Sequence, residues 1–217
     1  RSAGACSRTS WRRSSSVASA KPASRRRSAS YPGRLRIIGG QWRGRRLPVP
    51  EAPGLRPTPD RVRETLFNWL APTLAGSICL DLFSGTGALC LEALSRGAAH
   101  ATLVEQAAPV VETLRRNIET LKAHNAEVRR ADAVEFLQGP VTPVDILFLD
   151  PPFASDLIGR CAELIEARGW VKPGGLIYIE APHRLMPLPI PSRWDLIRSK
   201  VAGQVGYHLA RRVASSK

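Results

Sequence analysis

No apolar run in this sequence approaches the roughly 18–20 residues that a membrane helix requires, so the chain reads as a soluble, cytoplasmic protein. Cysteine is scarce. Cys6, Cys79, Cys90 and Cys161 form no Cys-x-x-Cys pair, and no His stands beside them at metal-ligand spacing. That argues against structural zinc and against a disulfide framework, and it indicates a reducing compartment. Cys79, Cys90 and Cys161 lie in apolar segments, where a free thiol behaves as a small buried hydrophobe. Acidic residues are missing from the first 36 positions, which carry ten Lys or Arg. Rich in Ser and Arg, residues 1–34 bury too little apolar surface to offset their ordering entropy and are expected to be disordered. The apolar core of a secretory signal is absent from them as well. Organelle transit peptides and RNA-binding arms share this composition. An incidental extension is the favoured reading, and nothing catalytic is assigned there.

What remains is substantial. A length of 217 residues with 43% hydrophobic side chains suffices for one mid-sized domain plus an appendage. The net charge of +14 is uneven, the first 36 residues supplying +10 of it. Arg43, Arg45, Arg46, Arg56, Arg61 and Arg63 then face only Glu51 and Asp60. Such a basic patch attracts phosphates by releasing their counterions, although charge alone leaves a solvated face equally open.

From Leu35 the texture changes. Leu35 to Val49 reads as two short strands around a Gly-containing turn, and 48–57 as a Pro-rich loop. Thr58-Pro59-Asp60 opens a helix, with Thr58 as N-cap and Pro59 at the first helical position; Val62, Leu66, Trp69 and Leu70 form its apolar face and Pro72 ends it. Apolar strand-like runs follow at 77–82, 101–105, 126–131, 144–149 and 175–180, with helical patterns at 87–96, 107–123, 132–138 and 155–168. This alternation implies βαβ units, an α/β fold with a mostly parallel sheet and helices on both faces. Residues 194–201 and 205–213 read as a closing antiparallel hairpin through Gly203. The division is therefore a tail at 1–34, an RNA-facing hairpin and loop at 35–57, and a catalytic domain from 58 to 217. In such sheets ligands bind beyond the carboxyl ends of the strands, where the strand order reverses.

Asp81-Leu-Phe83-Ser84-Gly85-Thr-Gly87 follows the first strand of the alternation and enters a helix. Gly85 and Gly87 permit a tight turn and a close ligand approach. A dinucleotide-binding turn would carry a third Gly, but Cys90 stands there, and the acid at 81 would repel a pyrophosphate. An acid suits a cationic aminoacyl group instead, as in S-adenosyl-L-methionine, which has an ammonium, a sulfonium and no phosphate. Glu105 at the next strand end suits both ribose hydroxyls. Asp132-Ala133 suits the adenine edge, with helix capping as a second use for the acid.

Asp150-Pro151-Pro152-Phe153 follows the strand Ile146 to Leu149. The amino group of an aromatic base is a poor nucleophile because its lone pair is delocalised. Two acceptors aimed at its N–H bonds, the Asp150 carboxylate and the Pro151 carbonyl, favour a pyramidal nitrogen. Phe153 stacks on the base. Asp150 or water takes the proton released on methylation.

With these residues the sequence resembles the class I, Rossmann-like amino-methyltransferases. Arg36-Ile-Ile-Gly-Gly-x-x-Arg-Gly, Arg56-Pro-Thr-x-Asp-Arg-Val-Arg-Glu-Thr-Leu-Phe-Asn-Trp and Val201-Ala-Gly-Gln further resemble the bacterial 16S rRNA (guanine-966-N2) methyltransferases over roughly residues 35–213. The resemblance implies a seven-stranded sheet and methylation of a guanine N2 amine on a small-subunit assembly intermediate, by an enzyme expected to be a monomer. It implies that Thr58, Arg61, Glu64 and Asn68 border the cofactor and base pocket. Arg43, Arg45 and Arg46 would hold RNA backbone. By charge alone, Arg61 and Arg63 suit phosphates, with a surface ion pair open for Arg61. Competing readings are a DNA or other RNA adenine-N6 methyltransferase, a nicotinamide-dependent oxidoreductase, and a non-catalytic RNA-binding scaffold. No Tyr–Lys or His constellation supports the second, and the last leaves the Asp150–Phe153 loop without a purpose.

Overall fold

The computed structural model describes residues 33–50, 55, 58–152 and 156–214. The basic tail, Arg56 and Phe153 lie outside the described residues. A two-stranded antiparallel ribbon, β1 (Arg34–Arg36) and β2 (Arg46–Pro48), comes first, then helix α1 (Asp60–Leu74). The alternation expected from the sequence follows: β3 (Ile78–Asp81), α2 (Ala88–Ser95), β4 (His100–Glu105), α3 (Ala108–Leu121), β5 (Ala126–Arg130), α4 (Ala133–Gln138), β6 (Val144–Leu149), α5 (Leu157–Arg168), β7 (Val171–Pro182), β8 (Trp194–Ala202) and β9 (Val205–Arg212).

The main sheet has seven strands in the order β5-β4-β3-β6-β7-β9-β8. β3 to β7 pair in parallel, and β9 pairs antiparallel with both β7 and β8. The chain runs outward from β3 to β5 and then restarts on the other side of β3 with β6. The order therefore reverses between β3 and β6, which is where a ligand crevice forms. Pleating sends alternate side chains to opposite faces. Cys79, Phe148, Leu176 and Tyr178 pack with α1, α2 and α3, whereas Leu80, Leu147, Leu149, Ile177 and Ile179 pack with α4 and α5. Among the described residues no helix is long and apolar enough to cross a membrane. Cys79, Cys90 and Cys161 are free and buried, and burial pushes the Cys79 thiol up to about 12.

Two local readings are corrected. Thr58 does not cap α1. Pro59 occupies the N-cap position with no side-chain cap bond, while the Thr58 side chain lies close enough to Glu180 to favour its carboxylate. Nor does Pro72 end the helix. It lies in the last turn, where a proline forfeits one backbone hydrogen bond, and packing through Leu66, Leu70 and Leu74 carries the helix two residues further. The strand expected at 175–180 is also longer, beginning at Val171, with a register irregularity between Val144 and Ile146 where it pairs with β6.

The segment read as an RNA-facing hairpin has its apolar side in the main core. Leu35, Ile37, Trp42 and Leu47 are buried in the same cluster as α1 and α2. A polar clamp ties it down. Glu92, the one acid in α2, accepts the backbone N–H groups of Ile38 at 2.8 Å and Gly39 at 2.7 Å. It also pairs with Arg96 at 2.7 Å and Arg63 at 3.5 Å. The loop approaches α2 so closely that a Cβ on Gly40, whose φ is +73°, would lie 1.8 Å from the Ser95 carbonyl oxygen. Only glycine adopts that conformation in that space. The Ile-Ile-Gly-Gly stretch is thus a docking motif for α2.

Candidate active site

The carboxyl ends of β3, β4, β5, β6 and β7 carry the candidate residues. Leu82 N–H donates to the Phe148 carbonyl at 3.2 Å, so the glycine turn after β3 and the Asp150 turn after β6 leave the sheet side by side. Ser84 N–H donates to the Val104 carbonyl at 2.9 Å, linking the glycine turn to β4 as well. Glu105 accepts the backbone N–H of Gly85 at 3.1 Å and of Ala107 at 2.8 Å. It holds the turn's shape while retaining lone pairs for further donors. Gly87 has φ +76°, and a Cβ there would meet Leu114 at 2.7 Å, so the turn into α2 requires glycine. Leu55 lies over Gly85, within 2.8 Å of where its Cβ would be.

Asp81 is buried, its Oδ1 accepting Phe83 N–H at 3.1 Å, while Ser84 Oγ donates to the Asp81 carbonyl at 3.1 Å. Burial, reinforced by the charges of Glu105 and Glu180, pushes the Asp81 carboxyl up to about 7. Asp150 is likewise raised well above the usual carboxylate range, by burial and then by Glu180 and Asp81. Pro151 is buried beside it, and Pro152 is exposed. Asp132 caps α4, its Oδ1 accepting Val134 N–H at 2.8 Å and Glu135 N–H at 3.2 Å, with Ala133 buried behind it.

Glu180 escaped the sequence reading. It is 5% exposed on β7 and accepts the Tyr178 hydroxyl at 2.8 Å. Its only sequence signal was an acid ending an apolar strand, the same signal that marked Glu105. Asp81 and Glu180 are thus buried, and Asp150, half-buried between them, is raised by the like charge of both. Among the described residues no cation pairs with any of them, and no three His, Cys, Asp or Glu side chains assemble at metal-ligand geometry. Like charges held together out of water call for a cationic ligand, and the turn's glycines leave room for its backbone approach.

The basic candidates separate. Arg63 is not available to RNA. It is 1% exposed, bonded to the carbonyls of Thr58 (3.1 Å) and Arg36 (2.9 Å), and paired with Asp60 and Glu92. A charge in the middle of the α1 core face had to find internal partners. Arg43, Arg45, Arg46 and Arg61 are exposed. Arg45 also reaches the Thr120 carbonyl at 3.3 Å, so the hairpin's outer side stays basic while its inner side is core.

This sheet order, with a glycine turn and an acid at the switch point beside an Asp-Pro-Pro turn, defines a class I, Rossmann-like methyltransferase. The family described as conserved hypothetical protein 95 matches residues 35–211. Ribosomal RNA small subunit methyltransferase D of Escherichia coli K12 is 53% identical over 188 residues, covering 87% of this chain and 95% of that protein. Its Haemophilus influenzae namesake is 45% identical over 181 residues, covering 82% and 93%. The solved structure of the Escherichia coli protein yhhF superposes with a TM-score of 0.78 at 53% identity, covering 84% of this chain and all of that one. The chain belongs to this methyltransferase family.

Proposed function

We propose that the protein transfers a methyl group from S-adenosylmethionine to the exocyclic N2 amine of a guanine in 16S rRNA. The observation that carries this reading is the side-by-side departure of the glycine turn and the Asp150 turn from the sheet, with uncompensated carboxyl groups between them. The relatives named for small-subunit ribosomal RNA methylation supply the substrate class.

The reaction needs an electrophilic methyl group, which S-adenosylmethionine supplies when bound. Asp81 meets its cationic aminoacyl end, with Phe83, Ser84, Gly85 and Gly87 lining the approach. Glu105 takes the ribose hydroxyls, and Asp132-Ala133 the adenine. Thr58 and Arg61 close the pocket from the start of α1. Burial and then like charges raise Asp81 and Asp150, and a cation held there offsets both, returning the two groups to carboxylates. Asp150 and the Pro151 carbonyl then accept the two N–H bonds of the guanine amine, localising its lone pair. Pro152 stiffens the turn, and Phe153 stacks on the base. Most of the acceleration comes from orientation and electrostatics. Arg43, Arg45, Arg46 and Arg56 hold RNA phosphates through a salt-sensitive contact. The protein acts as a cytoplasmic monomer on a small-subunit assembly intermediate.

Mapping modified nucleotides in rRNA from a strain lacking the protein tests the assignment. One small-subunit N2-methylguanine should disappear and return with the wild-type gene but not with Asp150→Ala. An unchanged modification map overturns it.

A further inference from the structure

Glu180 has no task in that reading, yet its setting is specific. With β5, β4 and β3 on one side of the switch point and β6 and β7 on the other, the proposed roles place the methyl donor over the first three strands and the acceptor base over the last two. Register pairs Phe148 with Tyr178 and Leu149 with Ile179, so Glu180 stands on the strand beside Asp150. Pleating puts Glu180 on the same face as Tyr178, the face that α1 covers. Its two partners, the Tyr178 hydroxyl at 2.8 Å and the Thr58 side chain, offset part of the upward pull of burial on its carboxyl. Both partners are hydroxyls, and among the described residues no Lys, Arg or His pairs with it. A carboxylate only accepts, and its four lone-pair sites exceed these two donors. It is buried and without a cationic partner among the described residues, on the strand beside the residue proposed to hold the substrate amine.

The Watson–Crick edge of guanine presents two kinds of donor next to each other, the ring N1–H and the 2-amino group. Adenine presents an amino donor beside a bare ring nitrogen, which a carboxylate repels. We propose that Glu180 is the specificity-determining residue for the base, its carboxylate accepting the guanine N1–H while Asp150 and the Pro151 carbonyl hold the 2-amino group. This rests on the role given to Asp150 and Pro151 above.

The test compares methyl transfer to small-subunit particles carrying guanine or 2-aminopurine at the target nucleotide. 2-Aminopurine keeps the amine but has an unprotonated N1. The wild-type protein should favour guanine by about 100-fold or more in kcat/KM, because an unmet buried acceptor is costly. Glu180→Gln, whose amide can donate to N1, should bring that preference within about threefold in a protein that still binds S-adenosylmethionine by calorimetry. Tyr178→Phe keeps the carboxylate but removes one orienting hydroxyl. It should raise KM for the guanine particle about tenfold and narrow the preference. A wild-type protein indifferent to the two bases, or a cofactor-binding Glu180→Gln variant with the wild-type preference, overturns the proposal. If Glu180→Gln does not fold, an unchanged preference in Tyr178→Phe overturns it equally. Asp150→Asn separates the two claims: guanine transfer surviving in that variant refutes the role of Asp150, whatever the base preference.

Discussion

Two charge clusters, one around the buried Glu92 and one around the buried Asp81 and Glu180, are built in opposite ways. In the clamp, Glu92 is matched by Arg63 and Arg96 and by two loop amides, while Asp60 takes Arg36 at 2.6 Å and also pairs with Arg63. At the carboxyl edge, Asp81 takes a backbone amide and Glu180 a hydroxyl, no cation among the described residues pairs with either or with Asp150, and each carboxyl is pushed upward by its burial. A matched cluster is complete within the chain and serves cohesion. An unmatched one is finished by something from outside, and the protein holds it at a cost in its own stability.

The largest way to sharpen this contrast is Asp150→Ala. Transfer should fall by about a thousandfold or more, while the melting temperature and cofactor affinity stay near wild type. Methylation kinetics and calorimetry on one preparation check both halves; retained activity means the edge cluster is not the reacting centre. The converse change is Glu92→Ala, which leaves Arg63 buried against fewer partners and releases the loop at Ile38 and Gly39. It should cost about 3–5 kcal/mol in denaturant unfolding, the loss typical of a broken buried ion pair. A loss under about 1 kcal/mol would show the clamp to be ornamental.

Smaller effects follow from Asp81. Its Asn variant keeps the acceptor for Phe83 N–H but sheds the buried charge. The ligand-free protein should gain roughly 1 kcal/mol near pH 8, while cofactor affinity drops by about 100-fold, a trade visible by melting and calorimetry. The wild-type protein carries the same signature in its pH dependence. With the folded carboxyl at about 7 and the unfolded one at about 3.9, the folded state binds more protons between those values. The stability of the free protein should therefore decline as pH rises across that window. A cationic donor favours the carboxylate over Glu105, Glu180 and Asp150 nearby, so cofactor affinity should rise through pH 7 with proton release. Calorimetry in buffers of different ionisation enthalpy measures that release, and its absence would mean that Asp81 is already charged.

The strand Val144–Leu149 was legible to the residue, because a short apolar run with nothing polar but one acid leaves few alternatives. The order glycine turn, Glu105, Asp132, Asp150-Pro151 was legible because each lies at or just beyond a strand's carboxyl end, and such ends in a parallel sheet converge by construction. Arg63 was misread because a charged side chain looks the same in sequence whether it points to water or to Glu92. Glu92 and Glu180 went unremarked for a related reason: a lone acid in an apolar segment acquires meaning only from what packs against it.

Composition, periodicity and motif order by themselves determined the element sequence, the parallel sheet and the edge on which chemistry gathers, since these follow from local rules acting along the chain. Tertiary structure alone decided which charges are neutralised. It brings α1, α2 and the first hairpin together around Glu92, and brings three strand ends from distant parts of the chain together around Glu180, because electrostatic compensation depends on distance through space and not along the sequence.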